Sequence, residues 1–158
     1  MSTELKPYDD TVEPDQDSYE TPPKLLKHLA QIYHLNFQLD AAATFENTKC
    51  STFLSEALHF SWNHNIGDVW CNPPHSLTEE FVRRADAQHK EHNINICMIV
   101  PANCQSTVFW EEIIEDELTV KVENHPIKSR PRFLKNGKKT KFGSRNAYRV
   151  IIWRQALH

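Results

Sequence analysis

Apolar positions along the chain follow two alternating periods. Leu25, Leu26, Leu29, Ile32 and Tyr33 repeat on one helical face, and Pro22 and Pro23 suit the first helical positions with Thr21 as the cap. This predicts a helix that packs on a sheet. Asn36 to Asp40 alternates as a strand does, ending in an aspartate followed by Ala41-Ala42-Ala43. Further strands are predicted near Ser51 to Leu54, over Ile66 to Cys71, over the continuously apolar Ile94 to Val100, over Leu118 to Val122, and over Ala147 to Trp153, which closes the sheet. Ser76-x-x-Glu79 reads as a capping box opening a helix through about Lys90, and Thr107 to Glu115 as another helix, with Trp110 in its core face beside Phe109 and Ile113. Asn136-Gly137 fits a tight hairpin turn. Strands alternating with helices predict an α/β fold with a mostly parallel sheet, helices on both faces, and ligands bound at the carboxyl ends of the strands. Asp40 and Asn72 fall at such ends, and no internal repeat is visible.

The strand ending at Cys71 runs into Asn72-Pro73-Pro74-His75. Two prolines lack backbone N–H groups and hold φ near −65°, so the strand must break into a rigid turn. The Asn72 side-chain oxygen and the Pro73 carbonyl are then placed to accept both hydrogens of a planar exocyclic amine. Such an amine is a poor nucleophile because its lone pair is delocalised into the ring. Two acceptors that draw it toward tetrahedral geometry would stabilise the charge that develops as it attacks a methyl sulfonium. An ordinary strand-ending turn has the same local sequence, and the motif alone leaves both readings open.

Composition narrows the setting. At 158 residues, with 39% hydrophobic and 25% charged, the chain fits a minimal single domain able to bury one core. No apolar run approaches the roughly 18 residues of a membrane span, and the polar, acidic start is unlike a signal peptide, so a reducing, cytoplasmic location without membrane contact is expected. Cys50, Cys71, Cys97 and Cys104 form no C-x-x-C pair and read as free thiols; His89 and His92 read as solvated surface, and no metal site is expected. Charge is unevenly spread. Residues 1–18 are acidic and aperiodic, which predicts a mobile tail ahead of a domain over 19–158. Between 128 and 149 lie Lys128, Arg130, Arg132, Lys135, Lys138, Lys139, Lys141, Arg145 and Arg149 with no acidic residue, half of the 18 lysines and arginines. That density suits a phosphate backbone, and the interleaved Phe133, Phe142 and Tyr148 could stack on bases. A merely solvated face is the competing reading.

Six blocks in register, Tyr19-Glu20-Thr21-Pro22, Leu39-Asp40-Ala41-Ala42-Ala43, Asn47 with Lys49-Cys50, Val69-Trp70-Cys71-Asn72-Pro73-Pro74, Val100-Pro101-Ala102 and Arg130-x-Arg132-Phe133, resemble the phage-type DNA N6-adenine methyltransferases. The resemblance implies a Rossmann-like methyltransferase fold, S-adenosylmethionine as cofactor, DNA as partner, and methylation of an adenine flipped out of the duplex. By resemblance, Tyr19, Thr21, Pro22, Asp40, Ala41, Ala42 and Asn72 line the cofactor pocket, with Asp40 drawing the cationic amino group. Glu56, near the end of the second strand, is a further candidate for the cofactor ribose. Asn72, Pro73, Pro74 and His75 match the amine-binding and base-stacking positions. His75 departs from the tyrosine, phenylalanine or tryptophan usual there, offering a smaller and more polar ring. With no separate recognition domain evident, short loops, a homodimer or a partner chain would supply target preference. Two alternatives share these residues: a catalytically silent nucleic-acid-binding protein of the same shape, and an amino-methyltransferase acting on cytosine N4 or RNA adenine. Cys104 follows Pro101 at the wrong distance for a Pro-Cys nucleophile and reads as structural.

Overall fold

Alternate residues of the central strands face two separate cores, one on each side of a sheet. The computed structural model describes residues 21–43, 48–50, 52–63, 67–116, 122–127 and 147–156, with the backbone at 134–135 and 138–139. Six strands, β1 (Phe37–Asp40), β2 (Thr52–Phe53), β3 (Asp68–Cys71), β4 (Ile96–Pro101), β5 (Glu123–Pro126) and β8 (Tyr148–Trp153), are ordered β2-β1-β3-β4-β8-β5. A separate antiparallel pair joins β6 (Leu134–Lys135) to β7 (Lys138–Lys139), and the Asn136-Gly137 turn expected between them lies outside the described residues. Pairings among β2, β1, β3 and β4 are parallel, whereas β8 is antiparallel to both β4 and β5. The sheet is therefore mixed, in place of the mostly parallel one expected. Because β8 reverses against both neighbours, β5 points the same way as β4.

The continuous apolar run of β4 is explained by this layering, since both of its faces are covered. Ile96, Met98 and Val100 pack with Phe81, Val82 and Ala85 of α2 (Thr78–His92) and with Phe109, Trp110 and Ile113 of α3 (Val108–Ile113). Cys97 and Ile99 turn the other way, toward Trp70, Tyr148, Val150 and Leu29 of α1 (Pro23–Tyr33). Each such buried side chain contributes about 1.5–3 kcal/mol, so this two-sided core dominates the stability. Trp62, Trp70, Trp110 and Trp153 are all at most 1% exposed, so no tryptophan is offered to a nucleobase. Ile32, predicted on the packing face of α1, is instead 46% exposed.

Element boundaries depart from expectation where prolines and turns intervene. Thr21 does not cap α1; Pro22 occupies that position in extended geometry, and its carbonyl accepts from Leu25 and Leu26. Ser76 and Glu79 form no capping box. Pro74, held extended at ψ 134°, feeds a 3-10 turn over His75–Leu77, so α2 begins one residue late; Thr78 Oγ1 donates to the His75 carbonyl at 2.9 Å, and Glu79 pairs with Arg83 instead. Of the strand expected over Leu118 to Val122, residues 118–121 lie outside the described residues, and β5 runs over Glu123–Pro126. His89 is buried, not solvated, because its Nδ1 bonds the Ile94 carbonyl at 2.8 Å where α2 turns into β4. Among the described residues no helix is long and apolar enough to cross a membrane.

Candidate active site at the carboxyl edge of the sheet

Parallel strands bring their carboxyl ends to one edge, and register fixes what stands there. Asp40 pairs with Trp70 and with Phe53, Cys71 with Met98, and Pro101 with Tyr148, the first residue of the reversed strand. Along this edge, therefore, lie Asp40, then Cys71 leading into Asn72, then Pro101, then Tyr148.

Asp40 is a carboxylate only 3% exposed. One oxygen accepts from the Ala42 N–H at 3.2 Å and the other from the Lys49 N–H at 2.9 Å, so the acid closes a tight turn over the alanines and holds the 48–50 segment to the edge. Burial raises its pKa above the ordinary range, while the two backbone N–H groups and the Lys49 charge pull it back in part. Ala41 is fully buried and donates to the Trp70 carbonyl, which leaves the neighbouring chain close-packed with β3. Cys50 stands in the field of Asp40, and desolvation with that charge pushes its thiol up to about 12, so it remains protonated. All four cysteines are free, as expected, and none of them is an ionised nucleophile at neutral pH: burial also raises Cys71, Cys97 and Cys104.

Asn72 leaves β3 at the neighbouring position, and its Nδ2 donates to Thr21 Oγ1 at 3.1 Å. Thr21 is 2% exposed, so this acceptor is fixed by the docking of α1. Donation from Nδ2 points the Asn72 side-chain oxygen away from Thr21. Pro73 is buried, and among the described residues no N–H donates to its carbonyl. His75 begins the 3-10 turn; its Nε2 lies 3.0 Å from the Tyr148 hydroxyl, with the two rings 5.6 Å apart at 45°.

The expected residues are thus placed unevenly. Thr21 meets Asn72 directly, Pro22 follows it into α1, and Asp40, Ala41 and Ala42 occupy the next strand end. Glu56 is exposed in the turn beyond β2 and makes no contact with Asp40 among those observed. Tyr19, Lys128, Arg130, Arg132, Lys141 and Arg145 lie outside the described residues, as do Phe133 and Phe142; Lys135, Lys138 and Lys139 stand on the β6–β7 pair. Tyr148, read from the sequence as a base-stacking aromatic, is 1% exposed within β8 and so is not offered to a base, whereas Arg149 is half-buried and binds Asn124 through Nε at 2.8 Å. Lys49 acts through its backbone, a role the sequence could only hint at by the recurrence of its block in the resemblance.

The family model for DNA N-6-adenine-methyltransferase (Dam) matches residues 9–158. A DNA N-6-adenine-methyltransferase of Escherichia phage T1 is 38% identical over 109 residues, covering 66% of this chain and 44% of the phage protein. One of Haemophilus phage HP1 (strain HP1c1) is 30% identical over 103 residues, covering 63% of this chain and 57% of its own length. The matched part therefore spans about half the length of these curated relatives. With the family model spanning nearly all of its length, the chain belongs to the DNA N-6-adenine-methyltransferase (Dam) family.

Proposed function

We propose that this chain methylates the N6 amine of adenine in DNA, with S-adenosylmethionine as donor. The observation that carries the reading is the Asn72 amide, clamped by Thr21 at the strand end next to the buried Asp40, in a chain of the Dam family. The names of both phage relatives specify the same reaction for those proteins. The sheet order, with its single reversed strand between β4 and β5, supports a Rossmann-like methyltransferase sheet as the frame.

The residues fit the cofactor's chemistry. A carboxylate has about four lone-pair positions and Asp40 gives only two to backbone N–H groups, so it retains capacity for an ammonium. Its raised pKa marks a charge held against desolvation, which a bound cation would relieve. Thr21, Pro22, Ala41 and Ala42 would line the same pocket, with Tyr19 from the chain just before them and Glu56 as the candidate for ribose hydroxyls. When bound, S-adenosylmethionine supplies a methyl group on a sulfonium, an electrophile that needs no metal-activated partner. The protein's own task is to make the amine reactive. The Asn72 side-chain oxygen and the Pro73 carbonyl accept its two hydrogens and hold the nitrogen out of conjugation, and His75 packs on the ring of the extruded base. Lys128, Arg130, Arg132, Lys135, Lys138, Lys139, Lys141 and Arg145 would grip phosphates, and a homodimer or partner chain would extend the recognition surface. Both relatives are phage proteins, and we read the reaction as one carried out in the cytoplasm of an infected cell.

Incubating the protein with DNA and isotopically labelled cofactor, then digesting to nucleosides for mass spectrometry, tests this directly. Label on N6-methyladenine is expected, reduced roughly 10²–10³-fold in Asn72→Ala, by analogy with loss of one preorganised polar group. Label on cytosine, or full activity in Asn72→Ala, would overturn the assignment.

A further inference from the structure

We infer that Tyr148 is a positioning residue for the base-binding wall, holding the His75 ring through its hydroxyl. The inference rests on the proposed methylation for its meaning, and on geometry for its evidence. Because β8 runs against β4, its first residue arrives at the same edge as the carboxyl ends of β1, β3 and β4, opposite Pro101. Tyr148 is 1% exposed, with its ring packed among Trp70, Ile99 and Val150, so its hydroxyl is held by the core and not by a mobile loop. That hydroxyl meets His75 Nε2 at 3.0 Å across 73 residues of sequence.

His75 needs such an anchor. A larger aromatic at this position would be fixed by packing area alone, each burying roughly 150–250 Å². Imidazole is smaller and carries two polar ring nitrogens, so an unanchored ring would turn toward solvent or toward the nearest donor. A hydrogen bond at Nε2 fixes the ring's rotation, whichever of the two groups donates. The two rings are tilted at 45° with their centroids 5.6 Å apart, so they are not stacked face to face and the hydroxyl contact is what joins them. The Asn-Pro-Pro-His turn of this chain is thereby matched to a hydroxyl on β8, and Tyr148→Phe removes that match while keeping the buried ring.

Three measurements test the assignment. Nitrogen NMR of labelled histidine, at about pH 8 where a free imidazole is neutral, should show His75 ring signals that move in Tyr148→Phe. Steady-state methylation by Tyr148→Phe should fall about tenfold in kcat/KM for DNA while cofactor affinity, measured by calorimetry, stays within about twofold. In a His75→Phe background, Tyr148→Phe should cost less than about twofold, since the contact with the His75 Nε2 is already gone. Unchanged His75 signals would overturn the proposal, as would equal losses in both backgrounds. A wild-type protein that fails to methylate DNA would remove the proposed activity, yet the NMR comparison would still decide whether Tyr148 holds His75.

Discussion

Replacing Thr21 by valine isolates the contact that orients the Asn72 amide. The two side chains have the same shape, so the buried site at 2% exposure is refilled and only the acceptor is lost. The 3.1 Å bond joins two uncharged groups, for which the net contribution is about 1 kcal/mol, rising to about 1–3 kcal/mol where a donor is left facing a methyl group. A loss near 1.4 kcal/mol in holding the amide corresponds to about a tenfold fall in rate if orientation matters only in the transition state. Thr21→Ser makes the opposite change. It keeps the hydroxyl and removes a buried methyl, costing about 1 kcal/mol of stability. The two variants should therefore lie in opposite order: Thr21→Val the slower enzyme, Thr21→Ser recovering most of the lost rate at equal or lower stability. Single-turnover methyl transfer gives the rates and denaturant midpoints give the stabilities. If Thr21→Val is as fast as the parent, or Thr21→Ser as slow as Thr21→Val, the amide is oriented by something else. A rise in the cofactor dissociation constant with unchanged single-turnover rate would place Thr21 in cofactor binding alone.

Two other perturbations follow from single residues. Asp40 has its folded pKa raised above the ordinary 3.8, so its contribution to stability is fully present below that value and is lost as pH rises through the folded pKa. The parent should gain stability relative to Asp40→Asn as pH falls from about 8 to about 4, while its affinity for S-adenosylmethionine declines over the same span; a stability gap independent of pH would contradict the burial argument. Gly67 has φ 139°, and an added Cβ would lie 2.5 Å from Gln38 Cγ and 3.1 Å from the Asn36 carbonyl oxygen. Gly67→Ala should cost at least about 1–3 kcal/mol, read as a lower urea midpoint, because the strained backbone and the crowding at β1 act together; an unchanged midpoint would refute it.

What the sequence made legible was whatever depends on local pattern. Leu29 with its neighbours, the alternation into Asp40, and the unbroken apolar run of β4 each name an element, because burial on one or two faces writes itself into residue spacing. The family was also legible from the six blocks that include Asp40, Asn72 and Pro73, and the family model matches residues 9–158. Direction was not. Nothing in Tyr148–Trp153 distinguishes a parallel from an antiparallel strand, for both faces are buried either way, and so β8 was expected to continue a mostly parallel sheet. The same blindness misassigned Tyr148: an aromatic in a positive segment looks available to DNA until the strand that carries it is seen inside the sheet. Capping failed at Thr21 and Ser76 for a related reason, because the adjoining prolines set the backbone before any side-chain cap can form.

The reversed strand also explains how so few residues can hold a preorganised edge. The chain has three glycines and no glycine-rich loop to mould around a ligand, so rigidity must come from side chains arriving from distant sequence. Thr21 reaches Asn72 across 51 residues, and Tyr148 reaches His75 across 73. Each contact forms only once α1 has docked on one face and β8 has paired with β4, since an isolated Asn-Pro-Pro-His turn contains neither partner. The contacts that orient the amide and the imidazole therefore exist only where both sides of the core are assembled. Small changes in α1 or β8 packing will therefore register at the carboxyl edge before they register in global stability, because a bond of about 1 kcal/mol is lost to a slight displacement that a core worth tens of kcal/mol absorbs.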